Sequence, residues 1–405
     1  MSVRHVAEHW QGRPTFAVID LDALATNVQT LRKHIRPEAK LMSVVKANGY
    51  GHGAVPVAEV ALANGADGVA VATVDEGAQL RKAGITAQIL VMGPMGAAER
   101  DRAVGMDMTI VMSDIGFASG LAKVVRMHQR KEPLKVHLKI DTGMRRFGVT
   151  PDAVVESARA IMTHPELELE GVMTHLACAD EVDPASAHEQ VRVFRQCMQM
   201  LKDAGIDIPI QHVANSATTV QFPEYHGNMV RPGLAMYGVR PAPHIPLPGE
   251  PGVMKQILTI YSMVTRVIPL GIGDRVGYGG TWEAKVAGRG ALVPIGYADG
   301  YLRSLSSKGW MTISNERANV IGRVCMDQTI LQLPDDLPAR TRQRVVIIGN
   351  GTSETPGAPT LQDLAEACGT IPHELMTGMA PRLPKLYVQG GELVAVHDLD
   401  GYRRV

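Results

Sequence analysis

The chain has 405 residues, 45% of them hydrophobic and 20% charged, with 41 basic residues balanced by 41 acidic ones. That is the composition of an ordinary globular protein of two or three domains. With no basic stripe and no apolar run of bilayer length, nucleic acid and membrane are not the expected partners. Four cysteines (Cys178, Cys197, Cys325, Cys368) show neither metal spacing nor a disulfide framework, and no metal is expected. A reducing, cytoplasmic setting is expected from that usage and from an N-terminus with no signal-peptide core.

In chain order, "TFAVIDLDALATNVQTL" reads as a strand and a helix that precede the barrel-like part of the chain. Eight apolar runs come next, "LMSVVKA", "DGVAVAT", "QILVM", "MTIVM", "LKVHLKIDT", "LEGVMTH", "IQHVANS" and "NMVRPGLAMYG", with helical patterns between several of them. Thr73 and Glu76 form a capping box opening one helix. Residues 183–205 carry Phe194, Cys197, Met198 and Leu201 on one face of another. Eight βα repeats in this length fit a (β/α)8 barrel, and no G-x-G-x-x-G supports the open-sheet alternative. The proline-rich stretch at 240–254 marks a linker. Beyond it, short β runs with one helix near "TLQDLAEACG" read as a smaller, mostly antiparallel β domain. The expected domains are therefore residues 14–245, with the strand–helix lead-in, and 254–405.

Barrel chemistry sits where strands end. Lys46 ends the first barrel run in "SVVKANGYGHG". Partial desolvation there lowers an amine's pKa and readies it for a Schiff base. On its own, a lysine snorkelling to solvent is the stronger reading. The last two strand ends change the balance. Asn215 and Ser216 in "ANS", with Gly233 and Leu234 in "RPGLAMYG", offer a hydroxyl and main-chain amides where barrels usually hold phosphate. A lysine and a phosphate cradle together suggest pyridoxal 5'-phosphate bound to Lys46.

From about residue 14 to 390 the chain resembles the alanine racemase family, in motifs that occur in order: "VVKANGYGHG", "KIDTGMRRFGV", "GVMTHLACADE", "HVANSAT", "VRPGLAMYG", "VGYGGTW", "PIGYADGYLR" and "GRVCMDQ". The resemblance implies pyridoxal phosphate on Lys46, with Tyr50, Ser216, Gly233 and Leu234 at its phosphate and Arg231 facing its ring nitrogen. It implies two opposed bases, Lys46 and Tyr278, with His175 beside the tyrosine and in touch with Arg231. Arg146 is implied for the substrate carboxylate, Lys139 as a possible carbamate, Met326 and Asp327 for the substrate end, and Tyr297 and Arg303 for the approach corridor. A head-to-tail homodimer is implied, in which Tyr278 serves the other subunit's site. The implied activity is amino-acid racemisation, first of alanine, with a racemase of serine or broader specificity as the alternative. A basic-amino-acid decarboxylase of the same architecture would use Cys325, but Arg231 and "VGYGGTW" speak against it. Pro381 stands where some relatives have a tyrosine near the phosphate. His52 is read as steadying its turn by a hydrogen bond.

Overall fold

A computed structural model describes residues 3–405. All eight expected runs form strands: Lys40–Val44, Gly68–Val71, Gln88–Val91, Thr109–Met112, Leu134–Lys139, Leu167–Met173, Ile210–His212 and Met229–Val230. Each pairs in parallel with the next up to the seventh, and the eighth pairs in parallel with the first. The remaining seam is bridged by Asn228 N donating to Gln211 O (3.0 Å) and Arg231 N to Ala214 O (2.9 Å). The result is a nearly closed parallel barrel. Runs such as Gly68–Val71 and Thr109–Met112 are buried throughout, as strands covered by helices outside and side chains inside must be. The expected helix near 183–205 spans Ala185–Asp203, burying Phe194, Cys197 and Leu201. Both halves of the Thr73–Glu76 capping box are present at the start of Val74–Lys82.

The second sheet has eleven strands. The run "ILTIYSMVTRVIPL" breaks into Leu258–Met263 and Arg266–Leu270, which lie far apart in that sheet. Its pairings are antiparallel apart from one, between Phe16–Asp20 and Lys385–Gln389.

That exception corrects the expected lead-in. Phe16–Asp20 does not belong with the barrel. It sits inside the second sheet, antiparallel to Leu258–Met263 and parallel to Lys385–Gln389. Phe16, Ala17, Val18 and Ile19 are all buried, so the strand needs a ladder on each side. The first barrel strand has no edge left to offer it, because Gly68–Val71 and Met229–Val230 already flank Lys40–Val44. Asp20 then caps the helix Leu21–His34, its Oδ1 accepting from Ala23 N at 2.8 Å. The chain then enters the barrel at Lys40. Among the described residues no helix is long and apolar enough to cross a membrane.

Candidate active site

The first barrel strand stops at Val44, and Lys46–Tyr50 turns in a left-handed sense. Ala47, Asn48, Gly49 and Tyr50 all have positive φ, from 50° to 62°. For non-glycine residues that conformation costs on the order of 1–3 kcal/mol each, so the surroundings must impose it. Gly49 N donates to Val45 O, Gly51 N to Ala47 O and Gly53 N to Asn48 O, each at 2.8 Å. The Asn48 side chain accepts from Ala54 N (2.9 Å) and Glu76 accepts from Ala47 N (2.6 Å). A Cβ on Gly51 would stand 2.0 Å from Met376 O, so glycine is required there by contact as well as by φ. His52 does steady the turn: its Nδ1 lies 2.9 Å from Tyr50 O, and its ring stacks on Tyr237 at 4.7 Å.

This turn brings Lys46 and Tyr50 to the wall of a cavity of about 820 Å³ at the strand ends. The described residues lining it include four cations, Lys46, Lys139, Arg146 and Arg231, and one carboxylate, Asp180. Such a balance suits an anionic occupant. Burial, then the nearby Arg146 charge, lower the Lys46 amine from its usual range, while Glu76 pulls it back. At one end Ser216 Oγ accepts from Gly233 N (2.9 Å) and Ala235 N (3.3 Å). Leu234 lines the same end, and a Cβ on Gly233 would meet the Tyr50 hydroxyl at 2.5 Å. Burial pushes the Tyr50 phenol up to about 12, so it remains a donor. Asn215 also lines the cavity, but its Oδ1 is occupied by Thr218 N and Oγ1, both at 3.0 Å. It therefore orients the Ser216 turn. These groups fit a phosphate-bearing aldehyde cofactor: hydroxyls and amides gathered at one end, and an amine of lowered pKa lining the same cavity.

Arg231 forms part of the floor. Buried, it donates from Nη1 to His212 Nδ1 (2.8 Å) and from Nη2 to Thr174 O (3.0 Å). A guanidinium has no acceptor, so His212 Nδ1 must be bare and its proton sits on Nε2. That nitrogen lies 2.8 Å from His137 Nδ1, and His137 Nε2 lies 3.1 Å from Glu170 Oε2. Lys135 Nζ and Gln88 Nε2 complete the Glu170 carboxylate at 2.6 and 2.8 Å. Burial opposes ionisation of Glu170, but the bonds from His137 and Lys135 outweigh it and hold its carboxyl down at about 2. Burial and the Arg231 charge keep His212 neutral. The chain of bonds thus runs in one direction, from arginine to carboxylate through two neutral imidazoles.

Arg146 lines the cavity and its neighbour Arg145 does not. Lys139 lies buried over the Phe147 ring, 4.2 Å from its centroid, and donates to Phe147 O. Burial, with Arg146 and Arg231 adding to it, brings its amine down to about 8 against the pull of Asp141. His175 also lines the cavity, and burial with the Arg231 charge lowers its imidazole to about 3.

Five further residues singled out from the sequence stand apart. Tyr278, Met326, Asp327, Tyr297 and Arg303 are exposed on the second domain and do not line this chain's cavity. Tyr278 is 69% exposed. Tyr297 N donates to Cys325 O and Ala298 N to Met326 O, both at 3.0 Å, which joins those two loops. Arg382 holds Asp327 at 2.7 Å.

Two family models match, the alanine racemase N-terminal domain over residues 19–241 and the alanine racemase C-terminal domain over residues 257–387. The chain belongs to the alanine racemase family. It is therefore an amino-acid racemase, an isomerase. It is 40% identical to an alanine racemase of Symbiobacterium thermophilum over 380 residues, 94% of this chain and 98% of that one. It is 36% identical to one from Desulforamulus reducens, over 93% of this chain and 99% of that one. Among solved structures, the alanine racemase of a D-cycloserine-producing Streptomyces lavendulae superposes with a TM-score of 0.88 at 34% identity, covering 94% and 98% of the two chains. That of Clostridium difficile 630 superposes at 0.87 and 30% identity, covering 96% and 99%.

Within this racemase fold, sequence reasoning missed four residues. His137, Glu170 and His212 come from three separate strands and meet only inside the barrel. The alternation in "LKVHLK" was the available signal, since it turns Lys135, His137 and Lys139 to one face. His373 was also missed. It lines the cavity with its ring 5.8 Å from Tyr50, whereas Pro381 is exposed and does not. Cys325, the residue a decarboxylase would use, has its thiol pushed up by burial, away from the reactive thiolate.

Proposed function

We propose that this racemase interconverts L- and D-alanine, using pyridoxal 5'-phosphate, as a cytoplasmic head-to-tail homodimer. The observation that carries the reading is the convergence of Lys46, Arg231 and the Ser216–Gly233–Tyr50 cradle on one cation-lined cavity. The relatives' names supply alanine. The cofactor would be held by Lys46 covalently, by Tyr50, Ser216, Gly233 and Leu234 at its phosphate, and by Arg231 at its ring. When bound, its conjugated ring withdraws electrons from the substrate α-carbon and acidifies the α-proton.

The chain's own groups do the rest. Arg231 can only donate, so whatever faces it stays an acceptor and gains no proton. Arg146 offers a forked guanidinium to the substrate carboxylate. Lys46, its amine lowered by burial, exchanges a proton with one face of the α-carbon. Tyr278 of the second domain serves the other face. Its exposure in one chain, and its absence from that chain's cavity, support delivery to a neighbouring subunit's site. Met326, Asp327, Tyr297 and Arg303 would arrive on the same face and close the approach.

The test is to incubate one pure enantiomer at a time in deuterated water, across the common amino acids. L-Alanine should yield D-alanine bearing deuterium at the α-carbon, faster than any other amino acid reacts. Faster turnover of another amino acid overturns alanine as substrate, and carbon dioxide release overturns racemisation itself. Borohydride reduction followed by peptide mapping should leave the cofactor on Lys46; a label elsewhere refutes the site.

A further inference from the structure

Glu76 closes the cap of the helix Val74–Lys82. Its Oε2 accepts from Ala72 N (2.7 Å) and Thr73 N (3.1 Å), while Thr73 Oγ1 accepts from Glu76 N (3.3 Å). A cap needs no more than this. A second cap in the same chain shows it: Asp363, one methylene shorter, closes the helix Leu361–Cys368 through Thr360 N (2.8 Å) and Thr360 Oγ1 (3.2 Å).

The other oxygen of Glu76 leaves its helix. Oε1 accepts from Ala47 N at 2.6 Å, across 29 residues of sequence. Ala47 is the first residue of the left-handed run and the immediate neighbour of Lys46. Gly49, Gly51, His52 and Gly53 donate to carbonyls of their own turn. Ala47 donates outside it, to a carboxylate anchored on the second barrel strand's loop. One residue therefore ties two successive strand ends together at the point where the reactive lysine leaves the main chain.

We propose that Glu76 is a positioning residue for the racemase site, holding the Ala47 amide so that the Lys46 side chain stands where the cofactor must meet it. This rests on the reading of Lys46 as the cofactor-bearing base. The charged and titratable groups facing Lys46 are Arg146, Glu76, His175 and His373. Glu76 is the carboxylate among them, so its charge also keeps the amine from falling further.

Three variants separate positioning from capping: Glu76→Asp, Glu76→Gln and Thr73→Ala. The full chain, stripped of cofactor, is labelled with an amine reagent across pH, and Lys46 is followed by peptide mapping. Cofactor affinity is read from absorbance, and the melting temperature is recorded. Glu76→Asp keeps the cap and should melt close to wild type, yet bind cofactor about tenfold more weakly through loss of a charge-assisted hydrogen bond. Glu76→Gln keeps the length but not the charge, and should move Lys46 labelling to lower pH. Thr73→Ala should lower the melting temperature and leave both Lys46 readouts unchanged. The proposal falls if Glu76→Asp and Glu76→Gln match wild type in labelling and affinity. It also falls if Thr73→Ala shifts Lys46 as far as they do. Wild-type chain that binds no pyridoxal phosphate would refute the proposed function instead, and the labelling arm would still decide the role of Glu76.

Discussion

Arg231 donates to His212 Nδ1 across 2.8 Å, and because arginine cannot accept, this one bond fixes the tautomer of His212. The same logic passes on to His137 and ends at Glu170. The racemase thus holds the cavity-lining Arg231 with neutral partners, which leave its positive charge unpaired toward the cavity.

Replacing His212 with Leu removes the acceptor for Arg231 and the donor for His137, both buried. The expected loss of stability is about 1–3 kcal/mol, read by denaturant unfolding, together with a changed spectrum of bound cofactor. A variant with wild-type stability and spectrum would mean that the chain of bonds is not needed.

The buried histidines set the acid limit. His52 is lowered to about 4 and His175 to about 3, with His137 and His212 lowered as well, burial being the first cause in each case. Below about 6.5 the unfolded chain takes up protons that these folded imidazoles refuse, so stability falls as pH drops. Each group contributes a slope of at most about 1.4 kcal/mol per pH unit. Glu170 acts later and with the same sign: its contribution is present above about 4.5 and is lost as pH falls toward 2. The melting temperature should decline steadily from pH 7 to pH 5. A flat or rising curve over that range would contradict the assignment.

The lowered amine of Lys139 would make it a target for carbon dioxide. With its amine near 8, about a tenth of the molecules carry the neutral nucleophile at pH 7, against roughly one in three thousand for an unperturbed lysine. The ammonium would first give up one proton; the neutral amine nitrogen would then bond to the carbon of carbon dioxide and release a second, turning a cation beside Arg146 into an anion. Activity should drop several-fold in buffer purged of bicarbonate and return when it is added. Labelled bicarbonate should give a carbamate signal that Lys139→Ala lacks.

Sites shared between subunits would give a quantitative signature. Tyr278→Phe should lower turnover by about 10²–10⁴-fold while cofactor stays bound. Mixed with inactive Lys46→Ala chains, half of the dimers are hybrids with one intact site in two, so activity should recover to about a quarter of wild type. Hybrids that form and stay inactive would place both bases in one chain.

Gly233→Ala would put a methyl group 2.5 Å from the Tyr50 hydroxyl. Tyr50 must then withdraw from the cradle, and cofactor affinity should fall while the fold persists. Unchanged affinity would take Tyr50 out of the phosphate site.

Most of the barrel was legible because its strands are short, apolar and separated by helical patterns, down to the two residues of Met229–Val230. The second sheet was less so. Trp310–Ile313 escaped notice although Ser314 and Asn315, both at positive φ, make the two-residue turn that pairs Ile313 with Glu316. Lys385–Gln389 was hidden by the proline and lysine at its start, and its partner strand is reached through Gly390 and Gly391. Residues brought to the cavity by one contiguous motif, such as Lys46 and Tyr50, could be read directly. His137, Glu170 and His212 could not, since nothing local ties three strands together before the barrel closes.

The position of Phe16–Asp20 constrains how the chain can be made. Its two neighbours in the sheet begin at Leu258 and Lys385, both synthesised long after it. A gene divided at the proline-rich stretch near residue 250 would therefore yield two incomplete products. One half would carry an orphan strand, and the other a sheet parted down the middle. The strand is made before either neighbour, and the helix it starts, which leads to the Lys46 turn, gains its sheet-side support only after residue 385 has been made.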